Sequence, residues 1–130
     1  MGKATSKASS KLLDIVIAGI EEKKGVDIAQ LDLRKISNAV SDFFVICHGN
    51  SNTQVKAIAD AVVEEVWKAT GEKPWHKEGL ENAEWILLDF VDVVVHIFQK
   101  DAREFYNLED LWADAHSEEQ AERATTISGN

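Results

Sequence analysis

Residues 42–55, DFFVICHGNSNTQV, form the most informative segment of the chain, because they have the pattern of a buried strand that leads straight into a helix. Residues 43–47 are a continuous aromatic and aliphatic run, too short for a helix, which predicts a central strand covered on both faces. Residues 48–51 follow as a turn. Ser51 and Gln54 have the spacing of a capping box, in which each side chain accepts a hydrogen bond from the other residue's backbone N–H.

The helix that begins after Ser51 has the clearest amphipathic pattern in the chain. Its apolar residues recur at i, i+3, i+4, i+7 and i+11, namely Val55, Ile58, Ala59, Val62 and Val66. Gly71 is a suitable residue to end this helix, and Pro74 prevents it from resuming. A second amphipathic helix is predicted from about Lys11 to Lys24.

Three further strands are predicted around these elements. Residues 26–33 alternate near their end, as in a half-buried strand, and residues 85–88 and 93–98 are short apolar runs joined by four residues, which is typical of a β-hairpin. A short helical region follows Asp101, and its apolar residues are Phe105, Tyr106, Leu108, Leu111 and Trp112.

This order of elements predicts the α/β fold class, with a mixed β-sheet of about four to five strands flanked by helices. Residues 11–115 are expected to form a single domain. Residues 1–10 are expected to be a flexible N-terminal tail, and residues 116–130 a flexible acidic C-terminal tail.

The charge of the chain limits its partners. The 130 residues carry a formal net charge of -9, whereas a protein that neutralises phosphates needs clustered Lys and Arg. Direct nucleic-acid binding is therefore disfavoured, and a basic protein surface would be attracted. No apolar run approaches the ~18 residues of a membrane span, and the N-terminus lacks a signal-peptide pattern. With Cys47 as the single cysteine, a reducing, cytoplasmic location is expected.

No motif for catalysis is complete. The four histidines are scattered, without the clustered spacing of a metal site, so neither a metal nor a cofactor is expected. The turn at residues 49–51, followed later by Asp89 and Asp92, is weakly similar to a nucleotidyltransferase site. Such a site needs two carboxylates at i and i+2 on one strand, but Asp89 and Asp92 are three apart and Asp42 stands alone. The protein is therefore not expected to be an enzyme, and a nucleotidyltransferase-like nucleotide-binding enzyme remains the alternative.

Tryptophan is abundant, with four residues in the chain. Trp and Tyr are enriched at the energetic centres of interfaces. Trp75 and Trp85 flank an acidic segment, so at least one of them is a candidate for a docking surface, whereas Trp112 is expected to pack in the core.

An ordered set of segments resembles the ribosomal silencing factor family, also called the Iojap-related family. The likeness covers roughly residues 12–113. Its segments are residues 42–46, 49–60, 78–80, 84–90, 92–98 and 106–112. Many members have Asp-Tyr-Gly-Asp where this chain has Asp89-Phe90-Val91-Asp92, so Val91 leaves the type of turn open.

The resemblance implies a nucleotidyltransferase-like core without catalytic residues. It also implies binding to the large ribosomal subunit through that subunit's fourteenth protein (universal L-fourteen). Such binding covers the surface that meets the small subunit, blocks joining and represses translation when nutrients are short.

The docking surface is predicted on the last two strands. Alternation places Trp85, Leu87 and Asp89 on one side of the first strand. It places a second row on one side of the next strand, namely Asp92, Val94 and His96. That the two rows share a face is a hypothesis.

A hydrophobic docking face could also pair with itself, so a homodimer of the free protein is a further expectation. A homodimeric scaffold without a ribosomal role is a third alternative.

Overall fold

The structure is a computed structural model that describes residues 2–36, 39 and 41–110, with side chains from Ser9 onward. It contains three helices and five strands in these residues: α1 Gly2–Glu22, β1 Val26–Asp32, β2 Phe43–Gly49, α2 Asn52–Thr70, β3 His76–Glu78, β4 Trp85–Asp89, β5 Val93–Gln99 and α3 Lys100–Tyr106.

The five strands form one mixed sheet in the order β1-β2-β5-β4-β3. β2 and β5 are parallel neighbours at its centre, and the other pairs are antiparallel. The predicted α/β class with a mixed sheet of four to five strands is confirmed. As predicted, β4 and β5 form a hairpin, and Val91 in its turn has a left-handed backbone with φ 77°.

The main core lies between the sheet and the helices α1 and α2, which pack on the same face. Inward side chains of β2 and β5, such as Val45 and Val95, meet Val16 of α1 and Ile58 of α2, and all four are fully buried. The two helices approach closely at Gly19, where a Cβ atom would lie 3.0 Å from the Cα of Val62. Burial of this large apolar set is the main source of stability of the fold.

The opposite face of the sheet has a smaller cluster, formed by Leu33, Phe44 and Val94. Ile36 and Ala39, from the segment after β1, pack against this cluster. α3 contacts β2 at His48 and β5 at Phe98, farther along the strands. This face is therefore only partly covered by the rest of the chain.

Two boundaries differ from the predictions. α1 begins at Gly2 instead of near Lys11, because residues 3–10 contain helix-forming Ala and Lys and neither Gly nor Pro. Ser9 is buried and donates a hydrogen bond to Oδ2 of Asp42 at 2.8 Å, so at least this part of the predicted tail belongs to the folded unit. β3 was not predicted. The predicted acidic tail and Trp112 lie outside the described residues.

No helix within the described part of the chain has the length and apolar character needed to span a bilayer.

Candidate functional site

The strand residues of the two predicted docking rows share one face of the sheet. In the antiparallel register of β4 and β5, Leu87 lies opposite His96 and Asp89 lies opposite Val94. The alternate residues Ile86 and Leu88 point to the core on the helix side. The strand residues of both rows therefore lie on the face that is turned away from α1 and α2. Asp92 precedes β5 and lines a pocket with Leu12 of α1 and Thr70 of α2, so the hypothesis of a shared face does not hold for Asp92.

Exposure divides these residues into two groups. Trp85, Leu87, Asp89 and Asp92 are partly exposed, so a partner can contact them directly. Val94 and His96 are 6% and 4% exposed and lie beneath their neighbours. We therefore expect Val94 and His96 to support the surface from below, while the docking role of all six residues stays a prediction.

Trp85 lies at the centre of a group of rings that we call the aromatic face: Phe44, Trp85, His96, Phe98 and Tyr106. The centroid of the Trp85 ring lies 4.8 Å from that of Phe98 and 4.8 Å from that of Tyr106. The His96 ring lies 4.7 Å from the Phe44 ring. These tilted contacts are favourable beyond the area that they bury, so they hold the exposed indole in a fixed orientation.

A hydrogen bond connects Trp85 to the buried layer. Its indole Nε1–H donates to Nδ1 of His96 at 3.1 Å. Burial lowers the pKa of His96 to about 4, so the imidazole is neutral near pH 7 and Nδ1 is available as an acceptor. The other nitrogen, Nε2, is buried and has no hydrogen-bond partner within the described part of the chain.

Helix α3 extends the aromatic face at its edge. Phe105 and Tyr106 are 79% and 50% exposed, and their rings meet edge to face at 5.0 Å. The sequence placed both residues in a final helical region but did not connect them with Trp85. An adjacent aromatic pair in an acidic segment was the available signal, since two exposed rings seldom stand together on a surface without a partner.

Backbone N–H groups at the turn of residues 49–51 donate hydrogen bonds to side chains of the same segment. The N–H of Asn50 donates to Oε1 of Gln54 at 2.8 Å, and the N–H of Gln54 donates to Oγ of Ser51 at 3.1 Å. The amide of Gln54 also donates to the carbonyl oxygens of Lys23 and Lys24. The N-terminus of α2 is thus capped by protein groups where a phosphate-binding site would present free N–H groups.

The carboxylates of the alternative site lie at the other end of the sheet. Asp42 and Asp92 precede the parallel strands β2 and β5, whereas Gly49 ends β2. Seven residues of strand separate these two ends by roughly 20 Å. Burial, with the nearby charges of Asp42 and Glu72, raises the pKa of Asp92. Residues 2–36, 39 and 41–110 contain no group of three or more His, Cys, Asp or Glu residues that could hold a metal ion.

Cys47 and His48 lie on opposite faces of β2. Cys47 is fully buried in the core on the helix side, and burial raises the pKa of its thiol to about 12. A thiol with so high a pKa is not a nucleophile near neutral pH. His48 instead accepts a hydrogen bond from Arg103, on the face that carries α3.

Known proteins share both the sequence and the fold of this chain. The model of a family described as "Ribosomal silencing factor during starvation" matches residues 6–129. Ribosomal silencing factor RsfS of Halalkalibacterium halodurans is 44% identical over 108 residues, which cover 83% of this chain and 91% of that protein. Ribosomal silencing factor RsfS of Bacillus subtilis is 46% identical over 104 residues, which cover 80% and 86%.

Crystal structures of two bacterial proteins have the same fold. A protein from Chromobacterium violaceum superposes with a TM-score of 0.75 at 35% identity, covering 79% of this chain and 84% of that one. A protein from Bacillus halodurans gives 0.69 at 44% identity, covering 79% and 94%. Because a family model matches nearly all of the sequence and close relatives are covered almost in full, this chain belongs to the ribosomal silencing factor family.

Proposed function

We propose that this protein binds the large ribosomal subunit through that subunit's fourteenth protein, blocks joining with the small subunit and so represses translation when nutrients are short. Membership of a family described as ribosomal silencing factors during starvation supports the ribosomal role. The partly exposed aromatic face is the main observation in support of the proposed docking site.

The chemistry of this face suits a protein partner. Trp85, Phe105 and Tyr106 offer large rings of low conformational entropy, which are typical centres of interface energy. Asp89 and Asp92 lie at the other end of β4 and β5 and would complement Lys or Arg at the rim of the contact. A net charge of -9 repels the phosphates of ribosomal RNA, so the partner is expected to be a ribosomal protein with a basic and apolar surface.

Steric occlusion is the mechanism. Two subunits must share a surface to join, and a folded domain bound on one side of that surface prevents the approach of the other. No bond is made or broken, and the protein needs neither a metal nor a cofactor for this action. We expect the protein to act in the cytoplasm, where ribosomal subunits meet.

A nucleotidyltransferase-like enzyme is disfavoured by the separation of roughly 20 Å between the capped turn and the carboxylates. A magnesium ion that bridges a carboxylate and a phosphate needs both within a few ångströms. Titration with labelled ATP and magnesium is therefore expected to give no saturable binding. Saturable binding with turnover would favour the enzyme.

A homodimeric scaffold without a ribosomal role is excluded if the protein migrates with free large subunits in a sucrose gradient.

The docking site is tested by replacing Trp85 with alanine. If Trp85 is an interface centre, binding to purified large subunits should weaken by about 1–2 kcal/mol or more, measured by co-sedimentation over a range of protein concentrations. Trp67→Ala is the matched control, because Trp67 is 50% exposed on α2, on the other face of the sheet. Equal affinities of Trp85→Ala and the wild type, with both folded by circular dichroism, would remove the aromatic face from the docking site.

A further inference from the structure

Helix α3 has little apolar packing to hold it in place. It is seven residues long and contains no buried residue. A helix of this length is unstable in water by itself, since the cost of its first turn is not repaid by so few further hydrogen bonds. Tertiary contacts must therefore fix α3 on the sheet.

Arg103 supplies most of the polar contacts between α3 and its surroundings. Its guanidinium forms a bidentate pair with Glu109, with Nε–H donating to Oε1 at 3.0 Å and Nη2–H donating to Oε2 at 2.7 Å. Its Nη1–H groups donate to Nδ1 of His48 at 2.9 Å and to the carbonyl oxygen of Val26 at 3.3 Å. One side chain thus joins α3 to β1, to β2 and to the segment that follows the helix.

This network is largely shielded from water. The side chain of Arg103 is 11% exposed, and that of Glu109 is 31% exposed. His48 is 6% exposed, and its pKa is lowered by burial and by the nearby positive charge of Arg103, which keeps the ring neutral and able to accept. Charge-assisted bonds in such a shielded place are stronger than the same bonds on an open surface.

The position of Arg103 determines where Tyr106 lies. The two residues are three apart on α3 and so occupy neighbouring positions on one side of the helix. The helix ends at once after Tyr106, where Asn107 has a left-handed backbone and its N–H donates to the carbonyl oxygen of Arg103 at 2.9 Å. Arg103 therefore holds the helix one turn before the ring that contacts Trp85 and Phe98.

We propose that Arg103 is a positioning residue of the docking surface: by clamping α3 to His48, Val26 and Glu109, it holds Tyr106 against Trp85 so that the two rings present one continuous surface to the ribosomal partner. This role rests on the proposed function. Arg103 itself need not touch the partner.

The test uses Arg103→Met, which keeps the apolar stem and removes every donor. Arg34→Met is the matched control, because Arg34 forms an ion pair with Asp32 on the exposed surface, with 39% of its side chain accessible. Two readouts are taken on the full chain: nuclear Overhauser contacts between the rings of Tyr106 and Trp85, and affinity for purified large subunits. Glu109→Gln is a second, milder variant that weakens the clamp if Arg103→Met fails to fold.

The proposal predicts that Arg103→Met loses the contacts between the two rings, keeps the backbone signals of β2 and β5, and binds large subunits roughly tenfold more weakly. Glu109→Gln should change both readouts in the same direction by less, and Arg34→Met should change neither. If a folded Arg103→Met or Glu109→Gln variant retains the contacts between the two rings, Arg103 does not position Tyr106. If the contacts are lost and the affinity for large subunits is unchanged, the position of Tyr106 has no role in docking. A wild-type protein that does not bind large subunits would instead refute the proposed function, whereas the ring contacts would still report on the clamp.

Discussion

At the centre of the aromatic face, the imidazole of His96 holds the indole of Trp85 in one orientation. The ring of His96 is buried among aromatic neighbours, and burial alone lowers its pKa to about 4. A protonated imidazole has no free acceptor nitrogen, so the hydrogen bond from Trp85 exists only while His96 is neutral.

His96 should therefore make stability depend on pH. Between about pH 6.5 and pH 4 the unfolded chain binds a proton at His96 that the folded chain does not, so the free energy of unfolding falls as the pH falls. The contribution of His96 to this loss is about 3 kcal/mol. Urea unfolding of the wild type and of His96→Phe at pH 7 and pH 4 measures it, because the other titrating groups are common to both proteins.

The advantage of the wild type over His96→Phe should be larger at pH 7 than at pH 4 by this amount. The same difference at both pH values would show that His96 titrates alike in the folded and unfolded states.

The sequence could not show how deeply the individual residues of the site are buried. Alternation along β4 and β5 placed Trp85, Leu87 and His96 on one face, because side chains in a strand have a period of two. It could not reveal that His96 lies under a cover, since that cover includes the rings of Phe44 on β2 and Trp85 on β4, which lie on other strands. The clamp at Arg103 was missed for the same reason, because its partners Val26 and His48 are far away in the sequence.

Among the elements, β3 depends most on the geometry of one turn. Its three residues are all exposed, and it is held at the edge of the sheet by pairing with β4. Gly79 follows β3 with φ 80°, and a Cβ atom at this position would lie 1.9 Å from the carbonyl oxygen of Trp85. Only glycine fits there, because both the backbone conformation and the space exclude a side chain.

Gly79→Ala should destabilise the protein by roughly 2–3 kcal/mol or more, measured by urea unfolding. Gly71→Ala is the matched control. Gly71 also has a positive φ, of 74°, but no atom lies within 4 Å of the position of its Cβ. Its replacement should cost only about 1 kcal/mol for the left-handed backbone. Equal costs at the two positions would mean that the close approach to β4 adds nothing.

Elements with strong periodicity could be predicted from the sequence. The periodicity of apolar side chains identifies α2 as a helix, and it identifies β2 and the β4–β5 hairpin as strands. The capping box at Ser51 and Gln54 marked the start of α2 correctly, although Oε1 of Gln54 accepts from the N–H of Asn50 and not from that of Ser51. β3 has no apolar residue, and residues 2–10 have no apolar stripe, so neither gives a periodic signal.

Across the whole molecule, the helices cover one face of the sheet and leave the other face partly open. α1 and α2 bury the main core, whereas the aromatic face keeps rings that are exposed or partly exposed. The chain carries a net charge of -9, which is attractive to a basic partner and is screened within about 8–10 Å at physiological salt. In the proposed complex, charge attraction would guide the encounter and the rings would supply the short-range energy.

In the proposed mechanism, the bound protein occupies space which the two ribosomal subunits need. Light scattering from purified large and small subunits, mixed at a magnesium concentration that favours joining, measures whether the protein blocks their association. Preincubating the large subunits with a saturating excess of the wild-type protein should abolish most of the scattering increase, and the same concentration of Trp85→Ala should inhibit less. An undiminished increase with large subunits shown to be fully occupied by the wild-type protein would show that the bound protein does not block joining.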